Sequence, residues 1–225
     1  MTAVSHWLHK NLAYTFRDAV YLEQALTHRS AGGDHNERLE FLGDAVLGML
    51  IAERLYLALP QADEGYLSRL RAHLVRRETL AQVGHEIGLG ERIKLGSGEL
   101  KSGGFRRASI VANGLEALLG AIYLDGGLEP VAKVIDVLFE SRLRTLPSQK
   151  DLKDPKTRLQ EMLQGRGIEV PSYAVEEVSG EAHKRHFAVS CSIPALDRKT
   201  TANGTSRRAA EQRAAAAMID LLGDD

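Results

Sequence analysis

The stretch from His35 to Gly48 constrains the fold of this chain most, because it combines a charged and an apolar face at helical spacing. At about 100° per residue, its acidic side chains fall on one side of a helix; these are Glu37, Glu40 and Asp44. Apolar side chains fall on the opposite side, which is suited to burial in a core; these are Leu39, Leu42, Val46 and Leu50. The pattern predicts a helix that continues to about Leu59 and ends before Pro60.

Two interpretations of the acidic face are open from the spacing alone. Carboxylates in successive turns repel each other in water, and a hard divalent cation such as Mg2+, which takes oxygen ligands, would relieve that repulsion. An ordinary solvated acidic face is the commoner outcome for a charged helix stripe. The aromatic Phe41 lies on the carboxylate side, where its burial requires either a neighbouring helix of the same chain or the surface of a second subunit.

A second polar pair interrupts an apolar helix that the sequence predicts from Ser109 to Tyr123. Asn113 and Glu116 share one face of it at i and i+3. The inward positions are Leu115, Leu118, Leu119 and Ile122. Polar side chains on an otherwise apolar helix need a partner, because burying them alone is costly. A metal ion shared with the acidic residues of the first helix is the partner that this pattern favours.

The string from His35 to Gly48 resembles the signature segment of the ribonuclease III family, and the resemblance extends from Leu12 to Leu222. It implies an all-α endonuclease domain over residues 1–146 that hydrolyses double-stranded RNA with Mg2+, for which Mn2+ is a substitute. It also implies two metal ligands from each of two long helices, and secondary acidic residues that hold outer waters or a second cation. The implied ligands are Glu40, Asp44, Asn113 and Glu116, with Asp44 and Glu116 also catalytic, and the secondary acidic residues are Glu37 and Glu64.

Two of these positions have features of their own. The family usually has Asp where this chain has Asn113, so the site carries one formal charge fewer. Glu64 follows Asp63, a predicted N-cap, and the helix dipole alone favours a carboxylate in the first turn. The helix dipole is therefore sufficient to explain a glutamate at position 64. The resemblance implies in addition that Glu64 lies at the edge of the catalytic valley.

The rest of the first domain is predicted to be helical over 8–31 and 130–144, where apolar residues recur at helical spacing. The glycine-rich loop over 94–104 is not a P-loop, because Leu100 rather than glycine precedes Lys101 and no strand precedes the loop. The basic side chains near it either meet a nucleic-acid backbone or belong to a solvated loop; they are Lys101, Arg106 and Arg107.

The sequence pattern changes after residue 146. Residues 147–153 are polar without a period and are predicted to be a linker. Residues 154–225 then form a second, α+β domain in the order α-β-β-β-α, with helices on one face of an antiparallel sheet. Its predicted elements are a helix over 154–165, strands over 172–178, 187–193 and 199–203, and a helix over 206–222.

This order, together with the segment from Gly204 to Gln212, resembles a double-stranded RNA-binding domain. The resemblance implies minor-groove contacts from Gln160, Glu161 and His183, and phosphate contacts from Arg207 and Arg208. Independently of it, two arginines at the start of a helix are disfavoured by the helix dipole, and the free amide donors there bind anions. A phosphate would therefore stabilise this end of the helix, although a pair of solvated arginines is the alternative.

The composition says more about the cellular location of the protein than about its activity. A net charge of −1 over 225 residues does not mark the whole chain as a nucleic-acid binder, so binding must rest on local clusters. The single cysteine, Cys191, excludes an internal disulfide and fits a reducing compartment. The N-terminus does not resemble a signal peptide, and no apolar run approaches the roughly 20 residues that span a bilayer. The sequence predicts a cytoplasmic protein that does not engage a membrane.

The family resemblance implies a homodimer that cuts one strand per subunit and processes ribosomal and other RNA precursors, with Phe41 at the dimer interface. Two other functions stay open. One is a double-stranded RNA-binding protein with weakened or absent cleavage owing to Asn113. The other is a metal-dependent hydrolase of a small phosphorylated molecule, against which the second domain argues because a small substrate has no use for it.

Overall fold

The computed structural model describes residues 3–181 and 185–223, and it divides the chain into two compact units between Pro147 and Ser148. The first unit is all helical. Its helices are α1 (Ala3–Leu12), α2 (Ala19–Ala25), α3 (Glu37–Ala58), α4 (Glu64–Val75), α5 (Arg77–Glu86), α6 (Ser97–Lys101), α7 (Ala108–Gly126) and α8 (Leu128–Arg144). Helix α3 is the predicted acidic helix, and its predicted end before Pro60 is confirmed.

Helix α7 forms the centre of the first unit, where it packs against α2, α3, α5 and α8. Eleven of its residues are buried, including the four that the sequence predicted to face inward. Because it is apolar on almost every side, α7 is long and apolar enough to cross a membrane when judged by length and composition only. Asn113 and Glu116 interrupt this helix, so it contains no continuous apolar run of about 20 residues, and burial in a protein core explains its composition.

The continuous helix predicted over 8–31 was wrong, because the chain breaks after α1. Ala13 has a φ of 50°, and α2 begins only at Ala19 with Asp18 as its N-cap. Asp125, near the end of α7, accepts hydrogen bonds from the Tyr14 hydroxyl at 2.6 Å and from two backbone amides of the connecting segment. These bonds to a distant helix satisfy the backbone that a continuous helix would otherwise satisfy.

Two smaller expectations also differ from the structure. Helix α7 runs from Ala108 to Gly126, so it begins one residue before and ends three residues after the predicted range of Ser109 to Tyr123. The polar segment predicted as a linker contains a short helix, α9 (Gln149–Leu152), whose start is closed by reciprocal hydrogen bonds between Ser148 and Asp151. Such a capping box stabilises a helical turn without any apolar periodicity, which is why the hydrophobic pattern did not reveal it.

The second unit has the predicted α-β-β-β-α order. After α9 it consists of α10 (Pro155–Gly165), β1 (Ser172–Ser179), β2 (His186–Ile193), β3 (Arg198–Gly204) and α11 (Arg207–Leu222). The strands form an antiparallel sheet in the order β1-β2-β3. The two long helices pack on one face of it, around Leu159, Leu163, Cys191, Ile193, Ala214 and Met218.

Candidate active site

Two glycines bring α3 and α7 into backbone contact. A Cβ atom on Gly43 would lie 1.8 Å from the carbonyl oxygen of Glu116, and one on Gly120 would lie 2.3 Å from the carbonyl oxygen of Leu39. No other residue type fits at such distances, so the contact depends on both glycines. The candidate ligands lie within one or two turns of these glycines, and the contact therefore sets the acidic face of α3 against the polar pair of α7.

The two faces line one open cleft of about 700 Å3. All four predicted ligands line it, and so do the secondary acidic residue Glu37 and the aromatic Phe41. The remaining lining residues come from the segment before α3, from α6, and from the start of α7 and the residue before it: His28, Arg29, Ser30, Asn36, Glu99, Arg107, Ser109 and Ile110. The structure thus brings together residues that are more than 70 positions apart in the sequence.

Electrostatics in the cleft disfavour charged carboxylates when no cation is bound. Burial, and then the neighbouring charges of Asp44 and Glu40, raise the pKa of Glu116 from its ordinary 4.5 to about 7. Burial also raises the pKa of Glu40, and a hydrogen bond from the side chain of Asn113 opposes that rise. Asn113 therefore acts as a donor to Glu40, a role that the aspartate usual in the family cannot take while ionised.

These residues fit a divalent cation by their chemistry. Three carboxylates and one amide oxygen are the hard oxygen donors that Mg2+ and Mn2+ prefer, and a cation would reverse the repulsion that raises the pKa of Glu116. Within the described residues, no group of three or more His, Cys, Asp or Glu side chains is arranged to hold a metal ion by itself. Since the fourth position is an amide that bonds to Glu40, the donor set is complementary to a cation only in part.

Sequence reasoning did not settle which basic residues belong to this site, and the structure does. Arg107 and Arg29 line the cleft, whereas Lys101 and Arg106 are not among its lining residues. Arg107 is held by Glu99 at 3.1 Å, and Arg29 by Glu37 at 3.2 Å. Neither arginine is marked by a period or a motif, because each reaches the cleft from a turn whose position is fixed only by tertiary packing.

Glu64 does not line the acidic cleft. Asp63 caps α4 as predicted, accepting a hydrogen bond from the Tyr66 amide at 2.6 Å. The carboxylate of Glu64 accepts a hydrogen bond from the Ser68 hydroxyl at 2.6 Å, in a groove beside Tyr56 and apart from the acidic cleft. Its role as a secondary acidic residue stays a prediction.

The predicted RNA-binding residues lie on the surface of the second unit, except for one that cannot be placed. Gln160 and Glu161 are exposed on α10. Arg207 and Arg208 are exposed in the first turn of α11, which is capped by Ser206. His183 lies outside the described residues.

An ion pair with the buried carboxylate of Glu211 positions the first arginine of α11. Glu211 is buried, and it accepts hydrogen bonds from Arg207 at 2.8 Å and from Lys156 at 2.7 Å. These two cations lower the pKa of Glu211. Glu211 thus compensates only part of the positive charge near the start of α11, and Arg207 is better positioned than a freely solvated side chain.

Comparison with known proteins identifies both units. Residues 18–142 match the family described as Ribonuclease-III-like, and residues 155–222 match the double-stranded RNA binding motif. Ribonuclease 3 of Photobacterium profundum is 53% identical over 222 residues, which cover 99% of this chain and 99% of that protein. The chain belongs to the ribonuclease III family. Ribonuclease 3 of Vibrio cholerae is 50% identical, again over 99% of both chains.

Solved structures agree with this membership for the helical unit. The nuclease domain of ribonuclease III from Campylobacter jejuni is 39% identical, with a TM-score of 0.60, and the match covers 65% of this chain and 100% of that domain. A second structure of that domain, described for flexibility in a region involved in dimer formation, is 40% identical with a TM-score of 0.58 and covers 62% and 98%. The predicted all-α nuclease unit followed by an α+β RNA-binding unit is confirmed.

The raised pKa of Glu116 predicts a pH-dependent stability of this ribonuclease III fold in EDTA. The pKa of Glu116 is about 7 in the folded protein against an ordinary 4.5. Its contribution to the free energy of unfolding is therefore fully present below pH 4.5 and is lost as the pH rises through 7. We expect a loss of about 1–2 kcal/mol after allowance for partial exposure. Thermal melts from pH 5 to 8 check this, with Glu116→Gln as the control that lacks the titration. Parallel pH profiles for the two proteins would contradict it.

Proposed function

We propose that this chain is an endoribonuclease that hydrolyses phosphodiester bonds of double-stranded RNA with Mg2+, in the processing of ribosomal and other RNA precursors in the cytoplasm. The observation that carries the proposal is the convergence of the acidic face of α3 and the polar pair of α7 in one cleft. Divalent-metal dependence is general in the family to which the chain belongs. A double-stranded RNA binding motif in the same chain supports the duplex as substrate.

The residues of the cleft have different proposed roles. Glu40, Asp44, Asn113 and Glu116 would hold Mg2+, or Mn2+ in its place, and Asp44 and Glu116 are the proposed catalytic pair. When bound, the metal supplies a water of lowered pKa and stabilises negative charge on phosphate oxygens. Without a bound metal, the pKa of Glu116 is about 7; coordination of a cation would lower it, so that Glu116 binds the metal as a carboxylate. Glu37 and Glu64 are proposed as secondary acidic residues.

The guanidinium groups of Arg107 and Arg29 can bind the phosphates of a polyanion that enters the acidic cleft. Both line it, and each is held by a carboxylate. A guanidinium binds phosphate through two parallel donors, so it can orient the scissile strand while the acidic residues keep their metal-binding role.

A direct assay tests the proposed function. A long RNA duplex is incubated with the protein with and without Mg2+, and short duplex products are expected only with the metal. Glu116→Gln is expected to bind the duplex and leave it intact. Binding without cleavage at any Mg2+ or Mn2+ concentration would favour the alternative of a binding protein whose cleavage is lost through Asn113.

The RNA-binding unit yields a prediction about Arg207 and Arg208. Replacing both with alanine is expected to weaken duplex binding and to lower the slope of log Kd against log salt by about 1 to 2, because each phosphate contact releases counterions. Titrations over a series of KCl concentrations in Ca2+ measure this. Arg198→Ala with Lys199→Ala removes the same charge from the exposed start of β3 and should leave the slope unchanged. An unchanged slope in the α11 variant would remove the phosphate assignment.

The dimer is supported by an apolar stripe on α3. Phe41 is 80% exposed, Met49 51% and Tyr56 69%, and their spacing puts them on one side of the helix. A contiguous exposed apolar surface on a helix marks an interaction site. A second copy of this chain, with Phe41 at the interface, is the proposed occupant.

Phe41→Ala is expected to shift the protein from dimer towards monomer, since a large aromatic side chain that is buried in an interface contributes about 2 kcal/mol or more. Light scattering after size exclusion over a hundredfold range of concentration measures the shift. Val137→Ala is the matched control, because Val137 is an exposed apolar residue on α8. A Phe41→Ala protein that stays dimeric throughout the range would place this side chain outside the interface.

A further inference from the structure

A basic groove lies in the second unit between the short helix α9 and one side of α10. Its volume is about 480 Å3. Four cationic side chains line it, together with a single carboxylate and the side chain of Met162: Lys150, Lys153, Arg158 and Arg166, with Glu161. We propose that this groove, referred to below as the α9–α10 groove, binds the phosphodiester backbone of duplex RNA. The proposal rests on the proposed function and adds a contact site to it.

The charge of the groove sets it apart from the rest of the chain. Four cations and one carboxylate give it a formal charge of +3, whereas all 225 residues together carry −1. A concentration of positive charge in a concave surface raises the local potential for a polyanion well above what scattered side chains produce. Six of the eight lining residues are charged or polar, and four of these are cationic, so the groove favours an anionic occupant over an uncharged apolar peptide.

The groove adjoins the side of α10 that is assigned to RNA. On a helix, Thr157, Gln160 and Gln164 lie on one side, and all three are exposed. Arg158 and Gly165, seven positions apart, lie on the neighbouring side that forms the groove. Glu161 lies between the two sides and lines the groove. A duplex whose minor groove meets the first side therefore brings its flanking phosphates towards the second.

One cation of the groove, Lys153, is held in place before any ligand arrives. Lys153 is paired with Glu161, and its side chain is only 20% exposed. Lys150 lies in α9, whose start is fixed by the capping box of Ser148 and Asp151. A positioned cation loses less conformational entropy on binding than a free lysine does. The short helix fixes the backbone from which the exposed Lys150 side chain extends.

A salt titration of the full chain tests the α9–α10 groove. Lys150→Ala with Arg166→Ala removes two exposed cations and leaves the ion pair of Lys153 intact. Binding of an RNA duplex is measured in Ca2+ over a series of KCl concentrations. We expect weaker binding at every salt concentration and a slope of log Kd against log salt that is lower by about 1 to 2. The variant should keep the wild-type melting temperature, because both side chains are exposed.

The controls separate the groove from the proposed function. Arg198→Ala with Lys199→Ala removes equal charge from the start of β3 and is expected to keep the wild-type slope. A groove variant with the slope of this control would overturn the groove assignment, as would weaker binding at an unchanged slope, because a phosphate contact must release counterions. A wild-type protein that binds no duplex would instead overturn the proposed function. If the wild type binds and cleaves the duplex, and the groove variant binds it with the same affinity and salt slope as the wild type, the groove assignment is wrong and the proposed function is unaffected.

Discussion

Asn113→Asp is expected to raise the rate of duplex RNA cleavage at limiting Mg2+ by about tenfold or more, which corresponds to about 1.4 kcal/mol of transition-state stabilisation. The amide of Asn113 now donates a hydrogen bond to Glu40. An aspartate at this position would add a full negative charge beside the three existing carboxylates and bind a hard cation more strongly. Single-turnover cleavage over a Mg2+ titration measures the rate and the metal requirement together.

The same substitution is expected to have the opposite effect on stability without metal. In EDTA, a hydrogen bond to Glu40 is replaced by repulsion between like charges in a cleft where the pKa of Glu116 is already about 7, at a cost of about 1–2 kcal/mol. A lower melting temperature in EDTA and a larger rise on addition of Mg2+ form the expected pair of results. Activity alone would not separate a better metal site from better folding, but this pair of melting temperatures does.

Two comparisons complete this experiment. Gln82→Glu adds the same charge on the exposed side of α5 and should change neither the cleavage rate nor the response to Mg2+. RNA affinity in Ca2+ should be equal for all three proteins, because binding rests mainly on the second unit. Equal cleavage rates for the wild type and Asn113→Asp over the whole Mg2+ range would contradict the prediction and would mean that water or Glu37 completes the coordination.

Gly43→Ala is expected to lower the free energy of unfolding of the first unit by about 3 kcal/mol or more, since overpacking against backbone atoms leaves no side chain that can move aside. The added Cβ would lie 1.8 Å from the carbonyl oxygen and 2.5 Å from the carbonyl carbon of Glu116, and 3.0 Å from the amide nitrogen of Gly120. Helices α3 and α7 must separate to admit it. Cleavage should fall as well, because the separation moves Glu116 away from the carboxylates of α3.

Fluorescence of the single tryptophan reports this effect in the first unit alone. Trp7 is buried, and its indole nitrogen donates a hydrogen bond to the carbonyl of Ile87 at 2.5 Å. We expect the melting temperature followed at Trp7 to fall by about 6–12 °C. Gly98→Ala is the control, because a Cβ there meets nothing within 4 Å. If Gly43→Ala melted within about 2 °C of that control, the two helices would not be in backbone contact.

The fold was predictable wherever one local signal decided the structure. The acidic helix, the apolar helix α7 and the strand β2 follow from hydrophobic period, and β1 and β3 were predicted as neighbours of β2. The end of α3 and the start of α10 follow from proline and capping residues. Prediction of the secondary structure failed where contacts with a residue distant in the sequence determine the backbone conformation. The break between α1 and α2 depends on hydrogen bonds to Asp125, about 110 positions along the chain.

The sequence by itself determined which side chains can take part in the site, because residue type and spacing put Glu40, Asp44 and Glu116 on polar helix faces. Tertiary structure decided their chemistry. The contact between Gly43 and α7 sets the two faces against each other. Burial and like charge can then raise the pKa of Glu116 to about 7. Helical period gives the direction of a side chain on its own helix, whereas electrostatic interactions depend on distances between helices, and only packing fixes those distances.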